Sequence, residues 1–156
     1  MKLFLKRDGD GFVVLDKNAN VRYTVSLMTE RTSQKLVIET PERKVVSVIS
    51  NKNMMLRYFS VKCNKHLYVL VPYMGECFAF VIYGSTYRFA GNMAEGRFSM
   101  YDVDKSPVMT QKQCWGCMGD GYELNIYVNE QEYFALSVAI CAALYLSCRG
   151  ENPVPT

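Results

Sequence analysis

The feature that most constrains this chain is a stretch near its C-terminus that contains no charged residue. It covers residues 133–148 and has an alanine or serine at every fourth position from 135 onward. Asn129 and Glu132 precede it with the spacing of a capping box, and Arg149 and Gly150 follow it as stop signals. The sequence therefore predicts one helix at about 130–149 that is apolar, and so buried, on every face.

A membrane span is the competing interpretation of this stretch, because small residues at that spacing also let membrane helices pack closely. Sixteen uncharged residues at about 1.5 Å each extend for about 24 Å, which is less than the hydrocarbon core of about 30 Å. Ser137, Tyr145 and Ser147 also add polar groups. Length and polarity favour a helix buried in protein, and we expect no transmembrane segment.

The rest of the chain alternates between apolar and polar residues in short runs separated by turn residues, which predicts β-strands. In the clearest run, Tyr122, Leu124, Ile126 and Val128 share one face. About twelve such runs occur at the spacing of antiparallel meanders. We predict a β-rich (α+β) fold, a closed antiparallel barrel of roughly twelve strands around the central helix, because closure removes strand edges and so wide a lumen needs filling. Residues 1–150 are expected to form one domain and 151–156 a frayed tail.

Composition and charge exclude some classes of protein without naming an activity. A chain with 49% hydrophobic and 21% charged residues is neither disordered, collagenous nor a coiled coil. The net charge of +3 is too small to predict nucleic-acid binding. Residues 1–78 carry 13 Lys+Arg against 7 Asp+Glu, whereas residues 79–156 carry 5 against 8. The first half therefore supplies either a basic face or solvated strand edges.

The cysteines indicate a reduced protein. The N-terminus has no signal peptide, because charges interrupt it before an apolar run can form, so we expect free thiols and a cytoplasmic location or one peripheral to a membrane. Four cysteines are interpreted as small core residues: Cys63, Cys77, Cys141 and Cys148. Cys114 and Cys117 form a CxxC among glycines, which fits a structural loop better than a metal or redox site. No cofactor is expected.

Three features stand out along the strand-rich chain: the opening Met1-Lys2-Leu3-Phe4-Leu5-Lys6, the segment Gly119-Asp120-Gly121-Tyr122-Glu123-Leu124-Asn125-Ile126 and the uncharged helix. With them, residues 1–149 resemble the tubby C-terminal-like superfamily. The LURP-one-related proteins are the most similar branch, with phospholipid scramblases more distant. The resemblance implies a twelve-stranded barrel around a hydrophobic helix, and tubby proteins bind phosphoinositides through basic residues on the barrel exterior. This chain lacks their dense Lys/Arg motif, and Asp102 and Asp104 are too few ligands for the calcium that some scramblases bind.

Three functions are compatible with these features. The first is a non-enzymatic module that binds anionic phospholipid head groups or a related phosphorylated ligand through Lys52, Arg57, Lys62 and Lys65, with Tyr58 and Phe59 at the membrane interface. The second is a protein-interaction or scaffold domain without a lipid role. An enzyme is least favoured, because the single histidine, His66, is interpreted as a structural or turn-edge residue and only thiol chemistry at the CxxC remains.

Overall fold

The computed structural model of the protein describes residues 1–31, 33–51, 58–114 and 121–150. The tail 151–156, predicted to be frayed, lies outside the described residues. A short 3-10 helix, Asn129–Gln131, leads into helix α1, Glu132–Gly150. The strands are β1 Lys2–Asp8, β2 Gly11–Asp16, β3 Val21–Glu30, β4 Ser33–Glu39, β5 Val45–Asn51, β6 Phe59–Cys63, β7 His66–Met74, β8 Phe78–Tyr83, β9 Arg88–Asn92, β10 Arg97–Tyr101, β11 Pro107–Cys114 and β12 Gly121–Ile126.

The strands close into an antiparallel barrel. Each strand pairs with the next one along the chain, and β1 pairs with β12 through Leu3 opposite Leu124, which closes the sheet. Because side chains alternate between the two faces of a strand, the apolar half of each alternating run faces the lumen and the barrel has no free edge. The predicted twelve-stranded barrel around one C-terminal helix is confirmed.

Helix α1 is enclosed by the barrel. The ten residues from Phe134 to Ala143 are each at most 1% exposed, so this part of the helix is buried on every face, as predicted. Within the described ranges, no helix has the length and hydropathy needed to cross a membrane.

The helix lies between two facing parts of the barrel wall, and aromatic side chains fill the lumen on one side of it. Its backbone approaches β5, β6, β11 and β12. In the arc of the wall between β6 and β11, strands β8, β9 and β10 contribute Phe78, Phe80, Phe89 and Phe98, whose contacting rings have centroids 5.1 to 6.3 Å apart. Tyr145 of α1 stacks on Phe78 at 5.1 Å. Large aromatic side chains thus fill a part of the lumen that the helix backbone does not reach.

Polar contacts fix the start of α1 to β3, and they correct the predicted capping box. The Tyr23 hydroxyl donates a hydrogen bond to Glu132 Oε2 at 2.7 Å, and Arg22 Nη2 lies 3.6 Å from Glu132 Oε1. Asn129 is the first residue of the 3-10 helix, whose N-cap is Val128 with no side-chain cap. The capping box is wrong because the Glu132 carboxylate binds β3 instead of reaching back to Asn129. Burial, and then Glu132, raise the pKa of Tyr23 well above its usual range.

Three of the four cysteines interpreted as core residues have described side chains, and two of the three are buried. Cys141 is buried in α1 and Cys63 is buried in β6, as predicted. Cys77 is exposed, so its interpretation as a core residue is wrong. It lies in the β7–β8 turn, where its carbonyl oxygen accepts a hydrogen bond from the Gly75 N–H at 3.3 Å, and the buried alternation begins one residue later at Phe78. The side chain of Cys148 lies outside the described part.

Candidate functional site

Five connections between strands lie at the end of the barrel where α1 begins, because successive antiparallel strands reverse direction. We call this the helix-entry end; its connections are β2–β3, β4–β5, β6–β7, β8–β9 and β10–β11. Among the described residues, five that are not glycine have a positive φ: Ala19, Arg43, Asn64, Lys65 and Lys105. All five lie in these connections. Left-handed backbone is costly for residues with a Cβ, so the strain of the barrel is concentrated at this end.

Three of these turns share one geometry. In each, the N–H of the fourth turn residue donates a hydrogen bond to the carbonyl oxygen of the first. The three bonds are Ala19 to Asp16 at 3.0 Å, Arg43 to Thr40 at 2.9 Å and Lys105 to Asp102 at 3.1 Å. The fourth residue has a φ of 62°, 65° or 64°. A three-residue hairpin loop of this kind favours glycine at its left-handed position. Two of the three positions hold a cation instead, and the third holds alanine, which provides an uncharged comparison.

Four cations gather on two neighbouring turns of the helix-entry end. Arg43 and Lys44 lie in the β4–β5 turn, Lys65 lies in the β6–β7 turn, and Lys62 points outward from the end of β6. The turns are adjacent because β5 pairs with β6 with Ser47 opposite Cys63. All four cations are exposed, and no acidic side chain of the described residues pairs with them. We call Arg43, Lys44, Lys62 and Lys65 the basic rim; Glu42 is the acid within these two turns.

The residues predicted for anion binding are only partly described. Lys62 and Lys65 are close together on the β6–β7 hairpin, whereas Lys52 and Arg57 lie outside the described residues and stay predictions. The prediction that Phe59 sits at a membrane interface is wrong. Its side chain is 0% exposed and packs edge-on against Phe80 at 6.1 Å, because the alternation of β6 turns it into the lumen.

Sequence reasoning missed Arg43 and Lys44. A signal was available in the order of the strands. In a meander, every second connection lies at the same end, so the β4–β5 and β6–β7 turns must project together. Grouping basic residues by connection, rather than by proximity in sequence, would have placed Arg43 and Lys44 beside Lys65.

An uncharged apolar surface begins directly beside the basic rim. Lys62 pairs across the strands with Leu67, which is 62% exposed, and Tyr83 is diagonal to Leu67 and 60% exposed. Beyond them, Tyr73 and Val81 are also exposed. The outward positions of β7 and β8, which we call the apolar face, are Leu67, Val69, Val71, Tyr73, Ala79, Val81 and Tyr83. Exposed apolar patches of this kind mark interaction surfaces.

The CxxC and His66 are not joined into a catalytic arrangement within the described part. Cys114 is a free, partly exposed thiol at the end of β11, and Cys117 lies outside the described residues. His66 is exposed beside the β6–β7 turn, with its ring 6.3 Å from that of Tyr68. No group of three or more His, Cys, Asp or Glu in the described ranges is arranged to hold a metal ion.

The fold and the rim define a twelve-stranded antiparallel barrel with a central C-terminal helix and a basic cluster on its outer end. No family model and no curated protein sequence matches the chain. The chain is similar to the X-ray structure of an Arabidopsis thaliana protein, AT5G01750, with a TM-score of 0.66 and 15% identity over 92% of this chain and 90% of that one. At this identity the similarity shows the fold alone.

Proposed function

We propose that this protein is a non-enzymatic module of the tubby-like and LURP-one-related kind that binds anionic phospholipid head groups at a membrane surface through the basic rim. The observation that carries the proposal is the combination of charge and strain at Arg43 and Lys65. Both cations occupy left-handed backbone positions. Residues held in such conformations cost about 1–3 kcal/mol and cluster at binding sites.

The charges of the rim are free to meet a ligand. A cation near an anionic membrane surface contributes about 1 kcal/mol, and four act together when they lie on one face. The ion pairs of the described residues all lie elsewhere, at Lys2–Glu123, Arg22–Glu132 and Lys35–Glu30. No intramolecular partner in the described part therefore has to be displaced when the rim binds phosphate.

The neighbouring apolar residues favour a membrane over a soluble phosphate. Leu67 and Tyr83 are exposed next to Lys62 and Lys65. An aliphatic side chain can insert among lipid chains, and tyrosine is typical of the membrane–water interface. The resemblance to proteins that bind phosphoinositides on a barrel exterior also supports this choice.

Co-sedimentation with vesicles tests the proposal. We expect binding to phosphatidylserine mixed with phosphatidylcholine, weakening as salt is added, and negligible binding to phosphatidylcholine alone. Changing Arg43, Lys44, Lys62 and Lys65 to glutamine should lower the affinity by about 100-fold or more.

A matched control variant removes four positive charges at surface positions outside the basic rim. Lys6, Arg31, Arg97 and Lys112 are exposed and lie outside the rim, so their change to glutamine gives the same net charge. This variant should bind within about threefold of the unmodified protein, because charges more than a Debye length away are screened. Equal losses in both variants, or equal binding to both vesicles, would overturn the proposal.

Protein–protein association is the alternative, and the apolar face is the observation that favours it. The face has no charged residue at its seven outward positions, and pairing with the same face of a second copy would bury its exposed tyrosines. Light scattering during size-exclusion chromatography distinguishes the two. A dimer that Tyr83→Ser converts to a monomer would support the alternative, and a strict monomer would count against it.

A further inference from the structure

A second surface feature lies apart from the basic rim. It is an open cleft of about 770 Å³ on the outside of β9 and β10, beneath the β10–β11 turn. Its lining consists of Thr86, Arg88, Ala90, Tyr101, Asp102, Val103 and Lys105. This volume falls within the range of about 300–1,000 Å³ that is typical of sites for small organic molecules.

The cleft is formed by two irregularities of the barrel wall. The ladder between β8 and β9 has three pairs and ends at Phe80 opposite Phe89, so the two strands part above this point. On the other side, the register of β10 with β11 shifts between Met100 and Tyr101. Such bulges bend the strand and redirect its side chains, and they are frequent beside functional sites. Ala90, with its small side chain, leaves the floor open between them.

The charges of the cleft are unbalanced in favour of an anion. Arg88 and Lys105 are exposed, and neither has an acidic partner among the described residues. The acid in the lining, Asp102, is occupied by its own turn, since its Oδ1 accepts the N–H groups of Asp104 and Ser106, both at 2.9 Å. Lys105 is also held in the left-handed conformation, with a φ of 64°.

The remaining lining is apolar and suits the body of an organic molecule. The floor is Ala90, one side is the ring of Tyr101, and Val103 is 70% exposed at the mouth. Arg88 lies directly across the strands from Tyr101 on the outer face, and both side chains line the cleft. Guanidinium groups bind planar anionic groups through two parallel hydrogen bonds.

We propose that this cleft binds one amphipathic organic anion, a carboxylate, sulfonate or phosphate monoester attached to an aromatic or short aliphatic body. Arg88 and Lys105 hold the anionic group, while Tyr101, Val103 and Ala90 contact the apolar body. The site is separate from the basic rim and does not rest on the lipid proposal, because the apolar face of β7 and β8 lies between them.

Fluorescence titration with two dyes of similar size tests the site on the whole protein. Anilinonaphthalene sulfonate carries one negative charge, and N-phenylnaphthylamine carries none. We expect the sulfonate to bind at one site and more tightly than the neutral dye. Arg88→Gln should weaken the affinity for the sulfonate by about tenfold or more, because a hydrogen-bonded charge is lost. The affinity for the neutral dye should stay unchanged. Ala90→Trp should abolish the binding of both dyes by filling the floor.

Two further variants keep the outcome unambiguous. Val103→Asp adds a negative charge at a residue that is 70% exposed, so we expect little effect on folding and the loss of sulfonate binding. Arg97→Gln removes a charge from β10 outside the cleft and should have no effect. Sulfonate affinity that is unchanged in Arg88→Gln and Val103→Asp, or that is lost in Tyr83→Ser of the apolar face instead, would overturn the proposal. Glutamine substitution of the whole basic rim should leave the dye titration unchanged, which separates this site from vesicle binding.

Discussion

Polar side chains in the lumen of the barrel have partners within the protein, whereas the described cations at the turns of the helix-entry end have no acidic partner. Inside, Ser137 Oγ lies 2.7 Å from Ser47 Oγ, and Gln111 Nε2 donates to the carbonyl oxygen of Ala139 at 3.2 Å. Outside, the four cations of the basic rim have no acidic partner in the described part, and two of them sit on strained backbone. The interior contacts stabilise the fold, whereas the left-handed backbone at two residues of the rim lowers its stability.

This difference points to the rim, and not to the lumen, as the region where a ligand binds. An unpaired polar group is costly in the lumen, away from bulk water, so polar groups there are mostly paired. In the described part, Gln111 Oε1 is an exception, a buried oxygen without a hydrogen bond. On the surface, water solvates a cation without a partner, and the fold does not require its charge. A strained cation on the surface is therefore better explained by a ligand than by folding.

The largest effect should come from removing an aromatic ring from the lumen. Phe134 is 0% exposed, with its ring centroid 4.3 Å from that of Tyr68. Phe134→Ala should lower the free energy of unfolding, measured with urea, by about 3–5 kcal/mol, because it leaves a cavity. Tyr83→Ala removes a ring from the exposed apolar face and should cost about 0.5 kcal/mol or less. Similar losses in the two variants would contradict the contrast between lumen and surface.

An intermediate effect is expected where β3 holds the start of the helix. Tyr23→Phe removes the hydrogen bond to Glu132 and should cost about 1–3 kcal/mol at neutral pH, because Glu132 loses its donor. The pH dependence follows from the raised pKa of Tyr23. The unfolded phenol ionises near its usual pKa of about 10 while the folded one stays neutral, so this stabilisation is complete below about pH 10 and is lost as the pH rises further.

Unfolding measured between about pH 9 and 11 checks this dependence. The unmodified protein should lose stability over that range, and Tyr23→Phe should lose less of it. Some slope should remain, because burial also raises the pKa of Cys63, to about 11. A variant with the same slope as the unmodified protein would show that Tyr23 titrates alike in both states.

The sequence predicted the barrel more completely than the site, for a physical reason. Alternation and the uncharged stretch are local signals, and they correctly predicted the burial of Leu124, Ile126 and the segment of α1 from Phe134 to Ala143. The partner of Glu132 could not be predicted, since Tyr23 is 109 positions away in sequence. The basic rim likewise depends on which turns share an end of the barrel, and the cleft at Arg88 depends on a bulge that no local pattern specifies.

The smallest effect is the most informative about the rim, because charge and strain can be separated there. Arg43 and Ala19 occupy the same left-handed position in two turns of one geometry. Glycine relieves the clash of Cβ in this conformation but adds freedom to the unfolded chain, so each change to glycine should stabilise the protein by about 0.5–1 kcal/mol. Thermal unfolding of Arg43→Gly and Ala19→Gly measures the gain.

The affinity for anionic vesicles should then distinguish the two glycine variants. Arg43→Gly should bind anionic vesicles about fivefold more weakly, in keeping with about 1 kcal/mol for one cation, while Ala19→Gly binds like the unmodified protein. Arg43→Lys should keep both the strain and the binding. If Arg43→Gly gains stability without losing affinity, the strain at the rim has no connection with lipid, and the contrast between lumen and rim does not explain the strained cations.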